Sequence, residues 1–133
     1  MRSDYISAFD ALLGIRYLSD DPDRAEGRIE FRDELTQPFG LVHGGVISAL
    51  VESVCSRATG VAVREDGMAA MGQSLEISFL RPIAAGSVAV SARARHRGRT
   101  TWVWEAEATD DDGRLCALAK MTIAIRPGSP SKP

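Results

Sequence analysis

Val46, Ile47, Leu50, Val51 and Val54 recur at helical spacing in a stretch that runs on to Gly60, so residues 46–60 read as one helix, apolar on most of its faces. The turn Gln37-Pro38-Phe39-Gly40-Leu41-Val42-His43-Gly44-Gly45 opens it near His43 or Gly44, and Gly60 can supply a left-handed stop. About 17 residues at ~1.5 Å each make a rod of roughly 25 Å. A rod so apolar must be enclosed, and the rest of the chain has to do it. Glu52 is the one acid inside it. Carboxylates seldom lie among apolar side chains unless paired, hydrogen-bonded or functional, which makes Glu52 a candidate for chemistry.

The wrapper is legible as strands. Leu75, Ile77 and Phe79 alternate with Ser74, Glu76 and Ser78 until Arg81-Pro82 stops the run. Val88, Val90, Ala92 and Ala94 alternate with Ser91, Arg93 and Arg95 before a turn at Arg97-Gly98-Arg99. Trp102, Trp104, Ala106 and Ala108 follow, and Asp110-Asp111-Asp112-Gly113 turns the chain into Leu115, Ala117, Ala119, Met121, Ile123 and Ile125. This two-residue period is that of antiparallel strands joined by short turns. Upstream, Ala25, Gly27, Ile29 and Phe31 make a half-buried strand, and residues 15–18 make a shorter one before the turn around Pro22. Residues 4–13 suit a short helix with Ser3 as cap and Ile6, Phe9, Leu12 and Leu13 as its apolar stripe. The expected fold is α+β, a curved antiparallel sheet of five or six strands wrapped around one long central helix. Residues 1–126 are expected to form one domain, and residues 127–133, rich in Pro and Ser, a disordered tail.

Composition narrows the function classes. With 133 residues the chain can bury a core without disulfides, and a formal charge of -2 argues against general affinity for nucleic acid or an anionic membrane. The first residues lack the apolar core of a signal peptide and no run of about 18 apolar residues could span a bilayer, so a cytoplasmic location is expected. Cys55 and Cys116 lack metal-ligand spacing and fit small buried hydrophobes, so neither a zinc site nor a disulfide is indicated. A Cys55/His43 nucleophilic pair is disfavoured, because the helix would part them by roughly 18 Å.

The order of elements, with Gln37-Pro38-Phe39-Gly40-Leu41-Val42-His43-Gly44-Gly45, Glu52-Ser53 and the late turn Asp112-Gly113-Arg114-Leu115-Cys116, resembles the hotdog-fold acyl-CoA thioesterases. The likeness is to the branch of the Arthrobacter-type 4-hydroxybenzoyl-CoA thioesterases, the 1,4-dihydroxy-2-naphthoyl-CoA hydrolases, the proofreading thioesterases of enterobactin synthesis and PaaI-like enzymes. It covers roughly residues 8–126. It implies hydrolysis of an acyl-CoA, with an aromatic or other compact acyl group, to the acid and CoA, without metal or organic cofactor. A helix start offers unpaired N–H groups at the positive end of its dipole, so Gly44 is the natural oxyanion donor. The resemblance gives Gln37 and His43 the orientation of the thioester, Glu52 the role of nucleophile or general base, and Ser56 a hydroxyl that holds the acid or the water.

Gly44 and Glu52 lie eight residues apart. That is about 12 Å along a helix, too far for both to touch one carbonyl within a subunit. If both act, two antiparallel helices must bring Glu52 of one subunit against Gly44 of the other, giving a homodimer with two shared sites. The family pairs its sheets edge to edge in this way and usually forms homotetramers. Arg97 or Arg99 is expected to meet a CoA phosphate, against the plainer reading of a solvated turn. Trp102 and Trp104 are expected in the core, while Ser74, Glu76 and Ser78 are candidates for the pocket rim. Two alternatives stand: a hotdog acyl-CoA hydratase or dehydratase, and a non-catalytic acyl-CoA-binding module.

Overall fold

The computed structural model describes residues 6–128. In chain order these form α1 (Ala8–Leu13), β1 (Arg16–Asp21), β2 (Arg24–Glu30), α2 (Gly44–Val63), β3 (Met68–Phe79), β4 (Ser87–Arg97), β5 (Thr101–Thr109) and β6 (Leu115–Pro127). Single 3-10 turns at Asp33–Leu35 and Arg64–Asp66 flank α2. The strands make one antiparallel sheet of six in the order β1-β2-β4-β5-β6-β3, so β1 and β3 are its edges. This is the α+β hotdog arrangement, with α2 held in the curve of the sheet.

The enclosure of α2 follows from which residues face it. Ala25, Gly27 and Ile29 of β2 stand in register with Ala92, Val90 and Val88 of β4. The inward face continues through Trp104, Ala106 and Ala108 of β5 to Met121, Ala119 and Ala117 of β6. Against it α2 buries Leu50, Val51, Val54, Cys55 and Ala58, each at most 1% exposed. Small residues on β2 set the approach: a Cβ at Gly27 would sit 2.5 Å from a Val54 methyl. The helix is also tethered by polar atoms. The Trp104 indole donates to the Thr59 hydroxyl at 2.9 Å, and that hydroxyl donates to the Cys55 carbonyl at 2.7 Å. By length and apolarity residues 44–66 could cross a membrane, but here that length is the core of the fold.

Several expectations are corrected. The helix does not stop at Gly60. Its apolar pattern carries burial on to Val63, and the left-handed residue is Gly67, after the 3-10 turn. The first helix begins at Ala8 with Ser7, which accepts from the Asp10 N–H, as its cap; Ser3 lies outside the described residues. Of its supposed apolar stripe only Leu13 is buried, whereas Ile6, Phe9 and Leu12 are 45%, 55% and 67% exposed. Strand β3 is longer than its alternation implied, because residues 68–72 pair with the end of β6, ahead of a register shift at Gln73. Pro127 belongs to β6, opposite Met68, and residues 129–133 of the expected tail lie outside the described residues. Ser74, Glu76 and Ser78 face outward, away from α2, with Glu76 3.8 Å from Lys120.

Thr59→Val keeps the shape of the side chain but leaves the Trp104 indole N–H without its acceptor. A buried donor so orphaned costs about 1–3 kcal/mol, and the urea midpoint should fall with little change in slope. An unchanged midpoint would show that the Trp104–Thr59 bond contributes nothing. Cys55 and Cys116 are both 0% exposed, and burial pushes both thiols above their ordinary range. Native protein should therefore be inert to dithiobis-nitrobenzoate, with both thiols appearing only in denaturant. Fast reaction of either in the native state would contradict their enclosure.

Candidate active site

The loop before α2 is folded by its own amide. Gln37 Oε1 accepts from the N–H of Phe39 at 2.6 Å and of Leu41 at 3.3 Å, while the Gln37 N–H donates to the Leu41 carbonyl at 2.8 Å. Gly40 closes the turn at φ 80°, a conformation that favours glycine. Because oxygen must face those two backbone donors, the Nε2 group of Gln37 is the end left to meet a ligand.

His43 caps the helix. Its Nδ1 accepts from the Gly45 N–H at 2.7 Å and its carbonyl accepts from the Val46 N–H at 2.9 Å. The cap needs the lone pair of Nδ1, so the ring proton sits on Nε2, where it can be donated outward. Among the described residues, the Gly44 N–H meets no acceptor. It is thus an open donor at the positive end of α2. Phe79 roofs it: a Cβ at position 44 would lie 2.8 Å from the ring's Cζ. Gln37, His43, Gly44, Phe79 and Arg81 line one cleft of about 480 Å³. Nothing in its spacing marks Phe79, one more apolar residue of an alternating strand, as the residue over Gly44.

Glu52 is elsewhere. It is exposed on the subunit, two turns down the helix and outside that cleft, with its Oε2 3.3 Å from where a Cβ at Gly72 would stand. The carboxylate therefore rests on the edge strand β3, beside the register shift at Gln73. Ser56, one turn further, lines a second cavity of about 290 Å³ with Asp10, Tyr17, Ser53 and Arg57. The structure thus groups Gln37, His43 and Gly44 and separates them from Glu52 and Ser56 within one subunit. Arg97 donates to Asp23 at 2.5 Å and lies 5.7 Å over the Trp102 ring. Arg99 is exposed in a groove with Asp66 and Trp102, beyond the far end of α2. The cluster around Asp10 has no signature in the sequence, since its members come from α1, β1 and α2.

Chemically, the cleft offers N–H donors to an oxygen that gains charge, and the exposed carboxylate offers a nucleophile or base. Among the described residues no group of His, Cys, Asp and Glu is arranged to hold a metal ion.

Residues 39–117 match the family described as the thioesterase superfamily. The chain is 34% identical over 115 residues to the proofreading thioesterase of Klebsiella pneumoniae, covering 86% of this chain and 83% of that protein. It is 32% identical over 114 residues to the 1,4-dihydroxy-2-naphthoyl-CoA hydrolase of Listeria monocytogenes, covering 86% and 92%. A crystal structure of a Pseudomonas aeruginosa thioesterase superimposes with a TM-score of 0.85 at 34% identity, over 90% of this chain and 86% of that one. An open donor at the start of a wrapped helix, a carboxylate in its middle and these likenesses agree: the chain belongs to the thioesterase superfamily and is a hotdog thioester hydrolase.

Proposed function

We propose that the protein hydrolyses a compact, aromatic acyl-CoA to the carboxylic acid and free CoA, using two equivalent sites shared across a dimer in the cytoplasm. The observation that carries this reading is the open Gly44 N–H over a cleft, on the same helix as an exposed Glu52 that the cleft does not reach. A twofold axis between antiparallel α2 helices brings Glu52 of one subunit to Gly44 of the other. Two features support the pairing. The face of α2 that the sheet leaves accessible carries Gly45, Ser48, Ala49, Glu52 and Ser56, small or polar residues that let a second helix approach. Beside it, β3 has a free edge of 12 residues, among the described residues unpaired on its outer side.

In such a site the thioester oxygen accepts from the Gly44 N–H, with Gln37 Nε2 and His43 Nε2 as further donors that orient the thioester. Glu52 then attacks the carbonyl carbon to give a mixed anhydride, which water opens, or else it removes a proton from the water that attacks. In both routes the C–S bond breaks and the sulfur leaves as thiolate, taking up a proton as CoA is released. Ser56 holds the carboxylate or the water. Arg81 at the rim of the cleft, and Arg97 or Arg99 at the β4–β5 turn, are the cations for CoA phosphates. No cofactor is needed, CoA being part of the substrate, and two dimers pack as a tetramer.

Thiol release from a panel of aryl- and alkyl-CoA esters tests the assignment. Glu52→Gln and Glu52→Ala should each lower kcat by about 10²–10⁴-fold, with folding intact. Undiminished turnover in both variants removes Glu52 from the chemistry, and binding without turnover in the wild type points to a non-catalytic module. Sharing is tested by mixing. Glu52→Ala and Gln37→Ala are inactive or weak alone, but a mixed dimer holds one site untouched by either change. Refolding the two together at equal amounts should restore about a quarter of wild-type sites. No recovery in a mixture that forms mixed dimers would place each site within one subunit.

A further inference from the structure

The cleft at the start of α2 has a second wall, for which the hydrolytic reading supplies no support. Residues 79–83, which lead out of β3, stand across it from Gln37, His43 and Gly44. Pro82 and Ile83 also line another cavity, of about 320 Å³, on their other side. The segment is thus one chain thick with space before and behind it, so its place depends on how it is fastened. The Leu80 N–H donates to the Cys116 carbonyl at 2.8 Å where the segment begins. In its middle Ile83 is buried, and its carbonyl accepts from the Val42 N–H at 2.8 Å. Val42 adjoins His43, so one hydrogen bond joins this wall to the cap of α2. Where the segment ends, the Gly86 carbonyl accepts from the Phe31 N–H at 2.8 Å.

One further fastening is a side chain, and it comes from the turn between β5 and β6. Ser87, 1% exposed, donates its hydroxyl to Asp111 Oδ1. A buried hydroxyl needs an acceptor, and Asp111 is the one it has. Gly86, at φ 74°, leaves no room for a Cβ against Asp111 Oδ2, so the carboxylate sits on the backbone where the wall ends. Asp111 is aimed by its neighbour. The Asp110 carboxylate accepts from the N–H groups of Asp112 and Arg114 at 3.0 and 2.9 Å, and from Arg114 Nε at 2.8 Å, which holds the turn in shape. Arg28 of β2, 3.9 Å from Asp111, balances its charge. Asp111 itself does not line the cleft, so it can act there only through the segment it holds.

We propose that Asp111 is a positioning residue for the cleft: through Ser87 and Gly86 it holds residues 80–86 at the distance from His43 and Gly44 at which an acyl-CoA fits between them. The assignment rests on the proposed use of that cleft. Without the tether the wall can retreat into the cavity behind it, which widens the cleft and carries Arg81 and the Val42–Ile83 bond along. The Gly44 N–H, the His43 cap and Glu52 stay where α2 holds them. The loss therefore falls on substrate binding and not on the chemical step.

Steady-state kinetics with the best substrate of the CoA-ester panel and amide hydrogen exchange test it together. Asp111→Ala should raise KM about tenfold and change kcat less than about twofold. Asp111→Asn keeps an oxygen to which Ser87 can donate, and its KM should stay within about twofold of wild type. Ser87→Ala removes the same bond from the other side and orphans no buried group, because the Asp111 carboxylate is 52% exposed. It should reproduce the rise in KM, and the double variant Asp111→Ala/Ser87→Ala should be no worse than Asp111→Ala alone. In Asp111→Ala the Val42 amide should exchange about tenfold faster, with the α2 amides from Leu50 to Ala58 unchanged. If Asp111→Ala does not fold, Ser87→Ala decides alone. A turn that merely stabilises the fold would lower the melting temperature and leave KM at its wild-type value; that result overturns the proposal. So does a fall in kcat at constant KM, or an Asp111→Asn variant as weak as Asp111→Ala. The two readings fail separately. Should wild type hydrolyse no ester, faster Val42 exchange and weaker binding of the inert benzoyl-CoA thioether, in which a methylene separates sulfur from carbonyl, uphold the tether in Asp111→Ala and sink the hydrolytic reading. Hydrolysis with KM indifferent to both single alanine variants does the reverse.

Discussion

Everything in this fold depends on enclosing α2. Twenty residues with apolar side chains on most faces cannot be left to water, and no other helix among the described residues is long enough to cover them. A sheet can do so only by curving closely around it. Alanine and glycine on the inner face, at Ala25, Gly27, Ala92, Ala106, Ala108 and Ala117, let the strands come near, while Trp104 and Met121 fill the remaining depth. Six strands still do not close a circle. The stripe of α2 that stays open is the stripe that carries Gly45, Ser48, Glu52 and Ser56, while Ser53 and Arg57 turn to Asp10 and Asp20 beside it.

The same geometry is what the proposed dimer rests on. Helical rise separates the open N–H of Gly44 from Glu52 by about 12 Å, and no loop movement shortens it, because both groups belong to one rigid element. A subunit that kept the two for itself would have to break its core. If both act on one carbonyl, as proposed above, a second copy must supply one of them, and α2 offers it small residues and β3 an edge that is unpaired among the described residues. Exposed Met71 and Phe79, 55% and 53% accessible in the subunit, lie on that edge strand. Association would also shield Glu52 from water, which strengthens the electrostatics of the site it joins.

Much of this was legible in the residues themselves. Period-two alternation located five of the strands, and the apolar run located α2, because in both cases burial dictates the pattern. Gln37, His43 and Gly44 were legible as a loop and a helix start through turn chemistry, whereas Glu52, singled out as an acid among apolar residues, stands exposed on the subunit. The misreadings have physical causes. Gly60 looked like a stop, but its backbone is buried mid-helix, and only the burial of Val63 shows that the helix continues. The early half of β3 was hidden because Met68, Ala69, Ala70, Met71 and Gly72 have no alternation, their pairing being fixed by β6 instead. Ile6, Phe9 and Leu12 have helical spacing with no core to meet. The Asp10 cluster was illegible in principle, since residues 10, 17, 53 and 57 become neighbours only when α1 and β1 fold back on α2.

That origin separates the tasks along α2. At its N-terminus the open group is a backbone N–H, held by helix geometry and by the His43 cap, and a side-chain change at 44 alters the space around it rather than the donor. In the middle, one carboxylate stands on the helix itself. Towards the C-terminal half, the polar groups around the cavity are brought largely from α1 and β1, a six-residue helix and an edge strand that contribute little to the main core. Substitutions there would change the lining of the cavity while the enclosed helix keeps its place.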